Sequence, residues 1–357
     1  MTFPSERRAH VVGLGLIGAS IARSLAEAGW RVTGGDSEPQ TVRRALELQL
    51  IAAEPMHPAT SLVFIATPAG SVAESAREVL TRLPDPDVIV TDVAGVKSAI
   101  VQDITDSRFI GGHPMAGSEQ RGLAASRANL FQGCTWVLTP TPATEPGHYS
   151  RLHGFLRELG ANVVAINADD HDRLVALASH VPHLLAGALM NEAAVAAEQD
   201  AVLLQLAAGG FRDMTRIAAG DPAIWPDVLF ENRDAITQTL TSLEGRLAGL
   251  RSALAAGHRE VIASSLQTAS VARRTLPGRA LSADQLAYLR VGVSDKPGEL
   301  ATVTVAASDL AVNIFDIEIA HGIEGVSGTL LLAVDADHAA RFLDVLTSMG
   351  FSVTLER

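Results

Sequence analysis

Ala9-His10-Val11-Val12-Gly13-Leu14-Gly15-Leu16-Ile17-Gly18 is the stretch that decides the fold of this 357-residue chain. Ala9 to Val12 read as a short buried strand, and Ile17, Ile21, Leu25 and Ala28 then share one face of a helix. In a strand-turn-helix of this kind Gly13 permits the tight turn, Gly15 lets a pyrophosphate approach the backbone, and Gly18 lets the helix pack close to the sheet. The helix start offers free N–H groups to phosphates, so Gly13, Leu14, Gly15, Leu16, Ile17 and Gly18 form the candidate dinucleotide cradle. A second strand, Trp30 to Thr33, leads to Asp36, eighteen residues after Gly18. A carboxylate there accepts hydrogen bonds from ribose hydroxyls and repels a ribose phosphate, which predicts NAD as cofactor rather than NADP. The competing readings are that Asp36 only opens the next helix with Ser37, or that Arg43 and Arg44 hold a phosphate.

From Ala9 to about Ile166 apolar runs alternate with helical patterns: Leu62 to Thr67, Val88 to Asp92, Arg108 to Ile110, Thr135 to Leu138 and Asn162 to Ile166. That alternation predicts a mostly parallel, doubly wound α/β Rossmann-type domain over residues 1–168. Its ligands belong beyond the carboxyl ends of the strands. Thr67-Pro68, Asp92 to Lys97 and Gly111 to Glu119 each follow a strand, so Thr67, Pro68, Asp92 and Lys97 are expected to line the cofactor crevice. In Gly111-Gly112-His113-Pro114-Met115-Ala116-Gly117-Ser118-Glu119 an imidazole falls just after a strand, where it can meet a bound nicotinamide. His113 is therefore the candidate general base, since an unperturbed imidazole with a pKa of about 6.5 is largely neutral at physiological pH.

The strand signal stops after Asp169, and residues 169–271 read as an all-α domain rich in alanine and leucine. Ile236, Leu240, Leu243, Leu247, Leu250 and Leu254 repeat at alternating intervals of four and three, an apolar seam of the coiled-coil type. It serves either a helix packed inside its own subunit or a dimer contact, and the amount of apolar helix favours a homodimer. Residues 272–286, with Arg273, Arg274, Pro277 and Gly278, read as a linker. Residues 287–357 read as strand, helix, two strands, helix and strand, the split order of ferredoxin-like α+β folds.

A net charge of -12 offers no basic face for nucleic acid, and 47% hydrophobic content is enough to fill several cores. No apolar run is expected to span a membrane, and Met1 to Arg8 lack the apolar core of a signal peptide, which predicts a cytoplasmic protein. Cys134 is the single cysteine, so there is no intramolecular disulfide.

Ser179-His180-Val181-Pro182-His183 places two histidines three apart at or in the first long helix of the second domain. Without a nearby third ligand they suit polar recognition of a substrate better than a metal pair, with packing alone as the alternative for one of the two, and no metal is expected. Gly209-Gly210-Phe211-Arg212-Asp213-Met214-Thr215-Arg216 carries two arginines one turn apart, residues that grip carboxylates in a two-point fork. Either could instead be a solvated helix charge.

Taken together, the glycine fingerprint, Gly111 to Glu119, Ser179 to His183, and Gly209 to Trp225 resemble the prephenate dehydrogenase family over residues 9 to about 270. The C-terminal unit, with Asp295-Lys296-Pro297-Gly298-Glu299-Leu300 and Val312-Asn313-Ile314, resembles an ACT regulatory domain. The resemblance implies an NAD-dependent oxidative decarboxylation of prephenate in tyrosine biosynthesis. In that role His113 would take the proton of the ring hydroxyl and Arg216 would bind a substrate carboxylate. His183 with Ser179 would contact the side-chain end, His180 and Arg212 would assist in binding, and Trp225 would close the pocket. Asp295, Pro297, Gly298, Asn313 and Ile314 would hold tyrosine as a feedback effector, unless the unit is purely structural. Gly95 departs from the pattern, because the family commonly carries serine before Val96-Lys97; water or Ser98 would have to supply the missing hydroxyl. The alternatives are an arogenate or dual-specificity enzyme and a non-catalytic sensor of NAD and an amino acid. A hydroxyacid dehydrogenase with a catalytic lysine in the second domain is disfavoured, because no lysine lies between Lys97 and Lys296.

Overall fold

The computed structural model describes residues 7–116, 122–200, 202–203, 205–220, 222, 225–275, 286–294, 299–310, 312, 314–321 and 327–356. The chain divides into two compact units, Met1–Leu189 with Ile217–Leu243, and Met190–Arg216 with Glu244–Arg357.

The first unit begins β1 (Arg8–Val12), α1 (Leu16–Glu27), β2 (Arg31–Gly35), α2 (Pro39–Glu47), β3 (Leu62–Ile65), α3 (Val72–Arg82), β4 (Ile89–Asp92) and α4 (Ser98–Asp103). It continues with β5 (Phe109–Pro114), β6 (Thr135–Thr139), α5 (Pro146–Glu158), β7 (Asn162–Ala165) and α6 (Ala168–Val175). Seven strands form one sheet in the order β2-β1-β3-β4-β5-β6-β7, parallel except between β5 and β6. Both faces are covered, which is why β3 is the unbroken apolar run Leu62-Val63-Phe64-Ile65. Leu62 and Phe64 join the core that holds Trp136, Phe131 and Phe155, while Val63 and Ile65 join the core of Val90, Val72 and Ile100 on the other face. The strand order reverses between β1 and β3, and in open α/β sheets the carboxyl ends at such a reversal are where ligands bind.

Two of the expected glycine roles are visible as geometry. Gly13 has φ +90°, and a side chain there would lie 2.4 Å from the Ala66 carbonyl oxygen. A Cβ on Gly18 would lie 1.9 Å from the Gly13 carbonyl oxygen, so neither position accepts any other residue without moving the turn.

His113 lies inside β5, opposite Val137 of β6, rather than in the loop that the sequence suggests. The extension depends on two glycines. A Cβ on Gly111 would lie 2.3 Å from Thr139 Oγ1, and one on Gly112 would lie 2.7 Å from the Asp92 carbonyl oxygen. Gly117, Ser118 and Glu119 lie outside the described residues.

Beyond α6 a single turn of π-helix, Ala176–His180, leads directly into α7 (Val181–Gln199). Ser179 to His183 therefore lie within one continuous helix. That helix, Ala168–Gln199, is long and apolar enough by length and composition to cross a membrane, contrary to the expectation that no run approaches a span. Its first turns instead bury polar groups against the sheet unit, His171, Asp172 and His180.

The chain continues with α8 (Gly209–Thr215), α9 (Trp225–Glu231), α10 (Arg233–Ala255) and α11 (Arg259–Arg274). The seam on α10 divides in two. Ile236 is buried with Leu240 and Leu243 beside it, whereas Leu247 is 53% and Leu254 68% exposed. Arg273 and Arg274 belong to α11, so the expected linker starts later than residue 272, and residues 276–285 lie outside the described set. The remainder of the second unit is β8 (Leu286–Ser294), α12 (Glu299–Asp309), β9 (Ile314–His321), β10 (Ser327–Asp335), α13 (Ala336–Ser348) and β11 (Ser352–Glu356). Its four strands pair antiparallel in the order β11-β8-β10-β9 around a core of Leu289, Val291, Leu330, Leu332 and Phe342.

Candidate active site

The cradle for a dinucleotide is built at the carboxyl ends of β1 and β3. Gly15 occupies the cap position of α1, and a Cβ built on it would meet nothing within 4 Å. The first bond of the helical ladder runs from Ala19 N to the Gly15 carbonyl oxygen, which leaves the amides of Leu16, Ile17 and Gly18 ahead of the ladder with no cap side chain to fill them. That is an anion-binding arrangement. Asp36 follows β2, with Oδ2 accepting the Leu14 amide at 2.7 Å and Oδ1 the Glu38 amide at 2.9 Å. Leu14 thus serves the cradle differently from expectation: its side chain is fully buried and its amide is taken by Asp36. Each Asp36 oxygen keeps a second lone pair for a ribose hydroxyl. Thr67 follows β3, and its buried Oγ1 has no hydrogen-bond partner; Pro68 beside it is exposed. An open glycine, unladdered amides and an orphaned hydroxyl at one strand reversal all fit a dinucleotide.

Asp92 and Lys97, expected on the crevice wall, are fully buried and paired with each other through Asp92 Oδ2 and Lys97 Nζ. Asp92 also accepts the amides of Ala94 at 2.9 Å and Gly112 at 3.0 Å, so it ties the β4 loop to β5. Burial lowers the Lys97 pKa, against the opposing attraction of Asp92. These two residues shape the loop from within rather than touch a cofactor.

His113 Nδ1 lies 2.9 Å from His171 Nε2, and His171 Nδ1 lies 2.7 Å from Asp172 Oδ1. The Asp172 carboxylate also accepts the amides of Lys97 and Ser98, each at 2.8 Å. Burial holds the His113 pKa well below the usual imidazole value, helped by the positive charges that His171, Lys97 and His180 can carry. Its other ring nitrogen, Nε2, points at the β4 loop, where a Cβ on Gly95 would lie 3.7 Å away. Ser98 cannot stand in for a hydroxyl at Gly95, because its Oγ donates to Asp169 Oδ1 at 2.8 Å.

His180 and His183 take different roles. His180 is only 2% exposed, which overturns its placement as a substrate-contacting residue. Asn232 Nδ2 donates to the Asp172 carbonyl oxygen at 2.8 Å and to His180 Nδ1 at 3.1 Å, and burial pushes the His180 pKa down to about 4. His183 is half-buried, its pKa lowered by burial, and it stacks on Trp225 with ring centroids 3.6 Å apart and an interplanar angle of 17°. Ser179 is half-buried in the π-turn before it. A single set of contacts therefore links His113, His171, Asp172, Asn232, His180, Trp225 and His183.

Arg212 and Arg216 belong to the second unit. Both are exposed; Arg212 Nε donates to the Ala207 carbonyl oxygen at 3.2 Å, and Arg216 opens the short turn Arg216–Ala219. Asp295, Pro297, Gly298 and Asn313 lie outside the described residues, and Ile314 begins β9. Among the described residues no group of three or more His, Cys, Asp or Glu side chains is placed to hold a metal ion.

Comparison with known proteins agrees with this architecture. Residues 21–165 match the family model "Prephenate dehydrogenase, nucleotide-binding domain", and residues 167–268 match "Prephenate dehydrogenase, dimerization domain". A prephenate dehydrogenase of Bacillus subtilis is 31% identical over 340 residues, covering 92% of each chain. The crystal structure of prephenate dehydrogenase from A. aeolicus in complex with hydroxyphenyl propionate and NAD+ superimposes with a TM-score of 0.70 at 29% identity, covering 76% of this chain and 99% of that one. Synechocystis arogenate dehydrogenase superimposes with a TM-score of 0.65 at 32% identity, covering 74% of this chain and 98% of that one.

Proposed function

Because the chain belongs to the prephenate dehydrogenase family, we propose that it converts prephenate to 4-hydroxyphenylpyruvate by NAD-dependent oxidative decarboxylation. The observation that carries this reading is His113, held on β5 with Nε2 directed at the β4 loop. Gly13 to Gly18 would hold NAD, which would supply the hydride acceptor. His113 Nε2 accepts the proton of the ring hydroxyl as the hydride leaves the carbon that bears it. The bond to the ring carboxylate then breaks, its electron pair completes the aromatic ring, carbon dioxide departs, and His113 returns the proton to the phenol oxygen. A positioned base of this kind contributes about 10² to 10⁴ in rate. His183, flat on Trp225, and Ser179 meet the side-chain end of the substrate.

The test is a comparison of kcat/KM for prephenate and arogenate with NAD and NADP. Prephenate with NAD is the expected best pair. Arogenate as the better substrate would move the assignment toward the Synechocystis relative, and binding of NAD without turnover would leave the sensor reading.

Asp36 supports the cofactor preference. In Asp36→Ser the preference for NAD over NADP is expected to fall about tenfold or more, since a carboxylate facing the ribose phosphate costs several kcal/mol in such a juxtaposition. Steady-state KM values for the two cofactors check it, and unchanged selectivity would remove Asp36 from the role.

Gly95 offers a gain rather than a loss. A Cβ there would meet His113 Nε2 at 3.7 Å and Val228 Cγ1 at 3.8 Å, ordinary contact distances, so Gly95→Ser fits without displacing its neighbours. Its hydroxyl would come within reach of His113. The expected result is a kcat raised about threefold or more, the size of a modest hydrogen-bond contribution. A kcat at or below that of the parent would show that the missing hydroxyl is already replaced.

In the second unit the β-α-β-β-α-β order supports an ACT-type, ferredoxin-like role for the C-terminal residues, with tyrosine as feedback ligand. Millimolar tyrosine lowering activity or raising Tm is the expected sign; no change in either favours a structural unit. Exposed Leu247, Leu254 and Leu266, on helices α10 and α11, support a homodimer.

A further inference from the structure

We propose that Asp172 and His171 form a positioning relay that keeps the His113 proton on Nδ1 and presents Nε2 to the substrate as a bare lone pair. The proposal rests on the reading of His113 as the base and adds what orients it.

The direction of the relay is set at its Asp172 end. The amides of Lys97 and Ser98 can only donate, and both point at the Asp172 carboxylate at 2.8 Å. Burial by itself would raise the Asp172 pKa, but hydrogen bonds from His171, Ser98 and Lys97 outweigh it and hold the carboxyl below the ordinary aspartate value. An ionised carboxylate only accepts, so His171 Nδ1, 2.7 Å away, must donate. The relay requires a neutral His171, whose other nitrogen, Nε2, is then an acceptor. His113 Nδ1, 2.9 Å from it, must donate in turn, and the lone pair is left on His113 Nε2.

The parts of the relay are fixed in place as well as in protonation. His171 is fully buried, and the Asp172 backbone carbonyl is held by Asn232, which also donates to His180 Nδ1. The rings of His113 and His171 meet edge to face at 72° with centroids 5.1 Å apart. The titratable groups that bear on His113 are His171, Lys97, His180 and Asp172. Of these only His171 has a ring nitrogen at hydrogen-bond distance from it. A carboxylate that fixes the tautomer of a catalytic imidazole is worth up to about 10⁴ in kcat where it bonds that ring directly. Here the effect passes through one more ring.

Two substitutions separate positioning from packing. His171→Leu keeps bulk but leaves His113 Nδ1 without an acceptor, and kcat is expected to fall about 10²-fold, with KM for prephenate and NAD changed by less than about threefold. His171→Gln returns an acceptor oxygen near the lost Nε2, and kcat is expected to recover to within about tenfold of the parent. A purely structural role predicts that both variants lose thermal stability and substrate affinity together, with no rescue by glutamine. The parent protein labelled with ¹⁵N-histidine gives a readout that needs no His171 variant. Its His113 resonances, assigned by their loss in His113→Asn, should report the Nδ1-protonated tautomer. An Nε2-protonated His113, or full kcat in His171→Leu, overturns the relay. Full activity in His113→Asn instead overturns the base itself, so the two failures are told apart.

Discussion

His113→Asn is expected to lower kcat about 10²- to 10⁴-fold while the affinity for NAD stays within about twofold. Asparagine can still reach the His171 side of the site but has no basic nitrogen to offer a ring hydroxyl. The candidate cradle for the dinucleotide, Gly13 to Gly18 with Asp36 and Thr67, follows β1, β2 and β3 rather than β5, so fluorescence titration with NADH should be little affected. The partition between kcat and KM matters here. A base that acts as the hydride leaves strengthens its interaction in the transition state, so its loss falls on kcat rather than on KM. If His113→Asn turned over at the parent rate, the proton acceptor would have to be sought elsewhere.

The second large effect concerns stability. Lys97→Met is expected to cost about 3–5 kcal/mol, the usual result of removing one member of a buried ion pair and leaving the other uncompensated. Lys97 and Asp92 have no exposed surface, and Asp92 holds two backbone amides besides the lysine. In thermal unfolding this corresponds to a fall in Tm of roughly 6–20 °C for a cooperative unit of this size. The double variant Asp92→Asn/Lys97→Met should recover part of the loss, because it removes the orphaned charge and the asparagine oxygen still accepts the Gly112 amide. A Lys97→Met protein with the parent Tm would show that the pair contributes nothing net. Because the same loop donates the Lys97 and Ser98 amides to Asp172, the single variant should also slow catalysis.

The cradle was legible in the sequence because each of its glycines answers a local demand: a positive φ at Gly13 and a close helix at Gly18 depend only on residues nearby in the chain. The same holds for the order of the C-terminal strands and helices, whose apolar periods are local. His113 was found but misplaced, since nothing local says that two glycines let a strand run past its parallel partner and pair with β6. Asp92 and Lys97 were read as crevice residues on the strength of their polarity. A lysine is rarely fully buried, and only the tertiary structure shows its partner. His171, Asp172 and Asn232 were missed altogether. Asp169-Asp170-His171-Asp172 reads as the acidic first turn of a helix, and no spacing rule joins residue 171 to residue 113, 58 positions away. The one local signal is a histidine beside an aspartate, and its burial follows only from tertiary structure. The leucine seam is ambiguous for a physical reason, because Ile236, Leu240 and Leu243 pack with Val181 and Leu184 of α7 while Leu247 and Leu254 are exposed.

The most direct measurement of the central claim is the stoichiometry of one turnover mixture containing the purified protein, prephenate and saturating NAD. Hydride removal coupled to loss of the ring carboxylate predicts equal amounts of NADH, carbon dioxide and 4-hydroxyphenylpyruvate for the prephenate consumed. NADH without carbon dioxide, or no NADH from a protein that binds both ligands, would contradict it.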